Sequence, residues 1–212
     1  MKHIVKTEAD WLELRKKYIT ASNAAVLVGA DPYSSPASLR NPPAFEGNAF
    51  TRVGQMLELV VVNVTNDVLG TSFELFETRE GSKEFYTCGH LGATPDAHQD
   101  RKILLECKTT RPKTYVKYSG VPPSKYLIQL IVQMMCVDVT EGYLSIMSTN
   151  LTQNSAKLEW PITVYKVWRD NRICDILTEQ AERFVTNKTF RVDSKVKQRV
   201  KMLLTMCYER AS

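Results

Sequence analysis

The stretch GHLGATPDAHQDRKILLECKTT, residues 89–110, decides how the chain reads. Pro95-Asp96 is followed, after nine residues, by Glu106-Cys107-Lys108, and the intervening HQDRK has the composition of a turn. Two hairpin strands joined there bring Asp96 and Glu106 together across the ladder, and period-two alternation puts Glu106 and Lys108 on one face. Two carboxylates and an ammonium then share one pocket.

Such a group suits phosphodiester hydrolysis. Asp96 and Glu106 offer hard oxygen ligands for one or two Mg²⁺ ions, with the backbone carbonyl of Cys107 directed to the same side. Lys108 would orient and help deprotonate the attacking water, or neutralise charge developing in the transition state. The competing reading is a surface hairpin with an ordinary cross-strand salt bridge.

Upstream, apolar residues recur at intervals of three and four from Thr51 to Leu69, and Gly70 closes this predicted helix. Glu58 lies in it among Val, Leu and Met. An acid on a buried helix is costly unless paired or metal-bound, the alternative being an edge position facing water. Downstream, Pro122-Pro123 precede Ser124, a candidate cap for a helix KYLIQLIVQMMCVD that is apolar nearly all round and so buried on both sides. Gln129 and Gln133 are four apart on it and share a face. They suit a metal-bound water or a phosphate, or equally the satisfaction of core backbone groups.

Working further out, Thr7 with Asp10 marks a capped first helix ending near Lys17, Ile19–Ser22 reads as a connector, and Ser22 as the cap of a short helix, 23–28, stopped by Gly29. The proline-rich run 31–47 reads as a long irregular loop. Segments SFELFE, EFYTC, GHLGATPDA and KILLECK read as an antiparallel meander. GYLSIMS and LEWPITVYKV are two more strands, and 168–188 and 193–208 two helices. Helices, meander, helix, strands, helices make an α/β (α+β) fold with a mixed sheet.

The 212 residues fit a single domain, 1–212, and no repeat or linker divides them. With 28 basic against 23 acidic residues the net charge of +5 leans only mildly toward a polyanionic partner. Five cysteines without a CxxC pair imply a reducing compartment and, with three scattered histidines, argue against structural zinc. There is no GxSxG elbow or GxxxxGK[ST] loop, so ATP is not expected. The N-terminus has no apolar signal core, and no stretch approaches the roughly 18 apolar residues of a membrane span. The expectation is a cytoplasmic protein.

RKKYITASNAAVLVG, the GxxxE of Gly54–Glu58, GATPDA, LLECK and YLIQLIVQ occur in this order from Trp11 to Val137. The set resembles the phage lambda exonuclease and YqaJ-type viral recombinase family, a branch of the PD-(D/E)XK nucleases with a restriction-endonuclease-like mixed central sheet flanked by helices. The resemblance implies that Asp96, Glu106 and the Cys107 carbonyl ligate two Mg²⁺ ions, for which Mn²⁺ substitutes. It makes Lys108 the catalytic lysine, and Glu58 and Gln129 the rest of the metal and water shell, with Gln133 beside them. It implies that Arg15 and Ser22 bind the 5′ phosphate of a DNA end. Thr94, which stands where the family commonly has serine, is expected to bind that phosphate with them. Pro43 and Phe45 lie where family members place a segment that wedges the duplex apart, although a plain surface loop is the alternative.

The resemblance further implies a homotrimer that threads double-stranded DNA and degrades one strand 5′ to 3′, handing the 3′ overhang to a phage single-strand annealing protein in the bacterial host cytosol. The basic residues Arg183, Lys188, Arg191, Lys195, Lys197, Arg199 and Lys201 would line a DNA path or form a solvated helix face. Two other readings keep the same motif: a sequence- or structure-specific endonuclease, which needs no 5′-phosphate site, and a catalytically inactive DNA-binding module.

Overall fold

Thr7 accepts the Asp10 N–H at 3.1 Å, so helix α1 (Glu8–Lys16) begins at the expected cap. A strand, β1 (Lys2–Val5), precedes it, and the expected connector is a strand too, β2 (Ile19–Thr20). Helix α2 (Ala21–Ala24) tightens into a 3₁₀ turn, Ala25–Val28, which ends at Gly29 with φ of 65°. Ser22 therefore lies inside the first turn of α2 and does not cap it. Thr20 holds the cap position, and its hydroxyl meets that of Ser22 at 3.0 Å.

The computed structural model describes residues 1–41, 49–76, 83–150, 152–154 and 157–212. Pro43 and Phe45 fall outside the described residues. The start of the proline-rich run is less irregular than expected, because Ser35 and Ser38 form a reciprocal capping box that starts a short helix, α3 (Pro36–Arg40). Helix α4 (Ala49–Leu69) matches the periodic segment.

The predicted meander is divided between two sheets. Strands β4 (Lys83–Cys88) and β5 (Leu91–Ala93) form a hairpin in a four-stranded sheet of order β1-β4-β5-β2, with β2 parallel to β5. Strands β3 (Glu74–Leu75), β6 (Ala97–Gln99) and β7 (Ile103–Thr110) belong to a second, six-stranded sheet. The chain crosses between the sheets at Thr94-Pro95-Asp96. Period-two patterning identifies strands but not their partners, which explains the difference.

Helix α5 (Pro112–Tyr118), too short to show a period, leads to α6 (Ser124–Val137). Pro123 is the N-cap of α6 and Ser124 its first residue, without a side-chain cap bond. Strand β8 (Glu141–Ser148) runs parallel to β7. A small hairpin, β9 (Thr152–Asn154) and β10 (Lys157–Glu159), leads to β11 (Ile162–Trp168), which is antiparallel to β8. Helices α7 (Asn171–Thr186) and α8 (Ser194–Leu204) are shorter than expected, and 208–210 form a strand, β12 (Tyr208–Arg210), completing the order β12-β11-β8-β7-β6-β3.

Helix α6 is the spine. Leu127, Ile128, Leu130, Ile131, Val132 and Met134 have almost no exposed surface, and the helix packs on β4 and β5 of one sheet and β7 and β8 of the other. Each such side chain contributes roughly 1.5–3 kcal/mol of hydrophobic burial. Burial on both sides is as the sequence implies. Gly92 lets β5 pass under Phe85: a Cβ there would lie 2.4 Å from the ring. The turn between β6 and β7 carries positive φ at both Asp100 (52°) and Arg101 (56°), with Lys102 N–H donating to Gln99 O at 3.0 Å. Two adjacent left-handed non-glycine residues are costly. The fork of Arg101 on the buried Glu84, at 2.6 and 3.0 Å, helps offset this.

Candidate active site

The β6–β7 register ends with Ala97 opposite Leu105, and Asp96, the next residue, reaches β7 at Cys107. Asp96 is pinned at both ends of the residue: its Oδ2 accepts the Cys107 N–H at 2.8 Å, and its carbonyl accepts the Phe76 N–H at 3.0 Å. Glu106 has no exposed surface. Its Oε1 accepts from Gln129 Nε2 at 2.6 Å and pairs with Lys108 Nζ, and its Oε2 accepts from Gln133 Nε2 at 2.5 Å. The shared face of Gln129 and Gln133 is thus directed at Glu106, and neither amide Nε2 is used on core backbone.

Burial pushes the Asp96 carboxyl well above the usual range, and the negative charges of Glu106 and Glu58 push it the same way; Lys108 and the Cys107 N–H oppose them. Burial alone would lower Lys108, but Glu106 and Asp96 outweigh it and hold the amine firmly protonated. Lys108 is therefore an ammonium in this arrangement, paired with Glu106 and able to neutralise charge. The Cys107 thiol is driven up by burial and by the same carboxylates, and its side chain packs against the core cluster of Val62, Phe73, Ala97 and Leu105, which leaves its carbonyl oxygen for a cation.

Asp96, Glu106 and Glu58 form an oxygen-rich set whose mutual repulsion is incompletely balanced by Lys108, and the buried Oε1 of Gln133 has no hydrogen-bond partner. This donor chemistry fits a hard divalent cation. Among the described residues no three His, Cys, Asp or Glu side chains are gathered as a ready cage. Glu106 has its oxygens on Gln129, Gln133 and Lys108, so it must exchange partners to take a cation.

A cavity of about 570 Å³ opens in front of this group. Its lining holds an acid and amide group, Asp96, Glu58, Gln129 and Gln133, and a cationic and hydroxyl group, Arg15, Ser22 and Thr94. All the proposed side chains of both sets therefore lie in or directly behind one cavity. Arg15 is half-buried, which lowers its pKa, and no described carboxylate forms a salt bridge with it. A desolvated, unpaired guanidinium is a strong anion site.

Two residues that belong to no motif, Trp11 and Lys83, contact this group, and sequence reasoning misses both. The Trp11 indole N–H donates to Thr94 Oγ1 at 3.0 Å, and both Arg15 and Lys83 stack on its ring at 4.3 Å. Trp11 and Arg15 are four apart on α1, so helical spacing could have paired them; Lys83 has no local signal. Of the seven basic C-terminal residues, Lys197 and Lys201 line a separate cleft, and Lys188, Arg191, Lys195 and Arg199 are exposed. Arg183 packs on Phe190 and bonds Gln180 at 3.3 Å. No described helix is long and apolar enough to cross a membrane.

The fold is similar to that of an alkaline exonuclease from Laribacter hongkongensis, with a TM-score of 0.63 at 18% identity over 93% of this chain and 97% of that one. The structure of that exonuclease in complex with dAMP gives 0.58 at 17% identity over 93% and 97% of the two chains. A phage related exonuclease from Haemophilus somnus 129PT gives 0.57 at 15% identity over 88% and 96%. At these identities the likeness is one of fold, and no curated protein matches the chain by sequence. The YqaJ-like viral recombinase domain matches residues 10–141, which hold every residue named in the two groups of the cavity lining. The chain belongs to the YqaJ-like viral recombinase domain family.

Proposed function

We propose that this protein is a Mg²⁺-dependent exonuclease that degrades one strand of linear double-stranded DNA from a 5′-phosphorylated end, 5′ to 3′. The observation that carries the reading is one cavity lined by two chemically distinct groups. It holds the carboxylates Asp96 and Glu58, backed by the Glu106–Lys108 pair, together with the hydroxyls of Ser22 and Thr94 and Arg15, which forms no salt bridge with a described carboxylate. Such a lining suits a substrate whose terminal phosphate is held by one group while a phosphodiester reaches the other.

Asp96, Glu106, Glu58 and the Cys107 carbonyl would hold two Mg²⁺ ions. When bound, these supply Lewis acidity to the phosphate and lower the pKa of a bound water. Lys108, paired with Glu106, would offset charge that builds on the phosphate. Gln129 and Gln133 fix the Glu106 carboxylate and orient water. Arg15 neutralises the terminal phosphate and sets the register of attack. The family's recombinase description supports a role in preparing 3′ overhangs for recombination. The homotrimer, the phage single-strand annealing partner and the host cytosol belong to the same proposal and rest on the family resemblance.

The test is gel analysis of end-labelled duplexes carrying 5′ phosphate or 5′ hydroxyl, with Mg²⁺ or EDTA. The expected result is shortening of the phosphorylated duplex from its 5′ end, only with Mg²⁺ or Mn²⁺, and sparing of closed circles. Cutting of closed plasmid, or equal digestion of both ends, refutes it.

A further inference from the structure

At the N-terminal end of α6 a second cleft, also about 570 Å³, is enclosed by the Gly29–Tyr33 segment, the α5–α6 junction and α8. Its floor is apolar, with Val28, Pro122, Val200 and Leu204. Its rim carries Lys117, Lys125, Lys197 and Lys201, and the described carboxylate beside it is Asp31, between Ala30 and Pro32, which accepts the Tyr33 N–H. None of these lysines forms a salt bridge with a described carboxylate, whereas the acidic residues nearly balance the basic ones over the whole chain. Among the described residues the cleft therefore carries an excess of positive charge.

Two features prepare it for a flat ligand. Tyr33 is 78% exposed, yet its backbone is held by an N–H bond to Asp31 Oδ1 at 3.0 Å, so a large aromatic face is presented to solvent in a fixed place. The stem of Lys197 lies against Gly29, whose φ of 65° and lack of Cβ make room for it; a Cβ would come within 3.2 Å of Lys197 Cδ.

The cleft is joined to the catalytic centre by alternating cations and rings. Lys108 Nζ lies 5.3 Å from the Tyr126 ring, Lys125 Nζ lies 5.1 Å from the same ring, and Lys125 is 5.4 Å from the Tyr33 ring. Lysines track phosphates, and exposed aromatic faces stack unpaired bases. Together they select single strands over duplex, whose bases are already stacked. We propose that this cleft binds single-stranded DNA, as the continuation of a path that passes Lys108, Tyr126, Lys125 and Tyr33. The link to the catalytic centre rests on the nuclease reading above; the cleft's ligand chemistry does not.

The experiment is fluorescence anisotropy of a labelled oligo(dT) with the full chain in EDTA, over a salt series. Lys117→Gln/Lys197→Gln/Lys201→Gln is expected to weaken binding at least tenfold and flatten the slope of log affinity against log salt by about 0.7 for each phosphate no longer neutralised. Tyr33→Ala is expected to weaken binding about tenfold with the slope unchanged. All four side chains are exposed, so thermal melts should match wild type. Unchanged oligo(dT) binding by the triple variant overturns the proposal. So does a polyglutamate peptide that competes as well as DNA and is indifferent to Tyr33→Ala, which would make the cleft a site for acidic protein. Digestion of a 5′-phosphorylated duplex, run in parallel, separates the two readings: intact binding effects without hydrolysis refute the nuclease alone, and hydrolysis with unaltered binding refutes the cleft alone.

Discussion

Replacing Lys108 by methionine keeps the length of the side chain and removes its charge, leaving Glu106 as a carboxylate with no exposed surface and no cation beside it. Breaking a buried pair from one side costs roughly 3–5 kcal/mol. Glu106 keeps its bonds from Gln129 and Gln133, so the expected loss is at the lower end, about 3 kcal/mol. In a chain of this size that lowers Tm by about 6–12 °C. Glu106→Gln/Lys108→Met removes both charges. The unpartnered Oε1 of Gln133 can then accept from the new amide after a flip, and most of the stability should return. Urea and thermal denaturation in EDTA measure the stabilities, and digestion of a 5′-phosphorylated duplex measures the chemistry. Stability should recover in the double variant while hydrolysis stays absent in both. A Lys108→Met protein as stable as wild type, or a double variant less stable than either single, would show that Glu106 carries no buried charge.

Arg15→Ala should abolish the preference for phosphorylated over hydroxyl 5′ ends, read as the ratio of digestion rates on the two duplexes; a preserved ratio places the terminal phosphate elsewhere. Burial alone would raise Glu84, but hydrogen bonds from Arg101, Lys2 and Tyr86 outweigh it and hold the carboxyl at about 2, against 4.5 unperturbed. Because the folded value is depressed, this contribution is complete above pH 4.5 and is lost as pH falls toward 2. Arg101 and Lys2 are about half-exposed and screened by water, so the expected loss is about 2 kcal/mol. Urea titrations of wild type and Glu84→Gln should differ most at pH 7 and by roughly half as much at pH 3, converging only as the pH approaches 2. Gly92→Ala should destabilise by about 1–3 kcal/mol because its Cβ meets Phe85, and Phe85→Leu should recover part of that in the double variant.

The legible parts of this chain are those written in local spacing. Asp96, Glu106 and Lys108 meet because a hairpin turns a count of residues into a register, and Gln129 and Gln133 face Glu106 because a helix does the same with a step of four. Thr7 and Gly29 mark helix ends by chemistry confined to one turn. What stays hidden is long-range or very short. Lys2–Val5 becomes a strand only because Lys83–Cys88, some eighty residues on, offers it an edge. Ile19–Thr20 is too brief to carry a period. Ser22 and Ser124 are good cap residues, but Thr20 and Pro123 take the cap positions because the sheet and the proline pair set where each helix can begin. Lys83 reaches Trp11 from a strand of the sheet, a meeting that no spacing announces.

The crossing at Thr94-Pro95-Asp96 joins two separately built halves, for α1 and β2 carry Arg15 and Thr20 on one sheet while β7 carries Glu106 and Lys108 on the other. On the proposed reading this tripeptide acts as the fixed beam of a caliper. One jaw grips the terminus of a strand, the other meets the bond to be cut, and α6 braces both. The place of cleavage would then be measured from the strand's end, so every cycle removes the same length whatever the bases are.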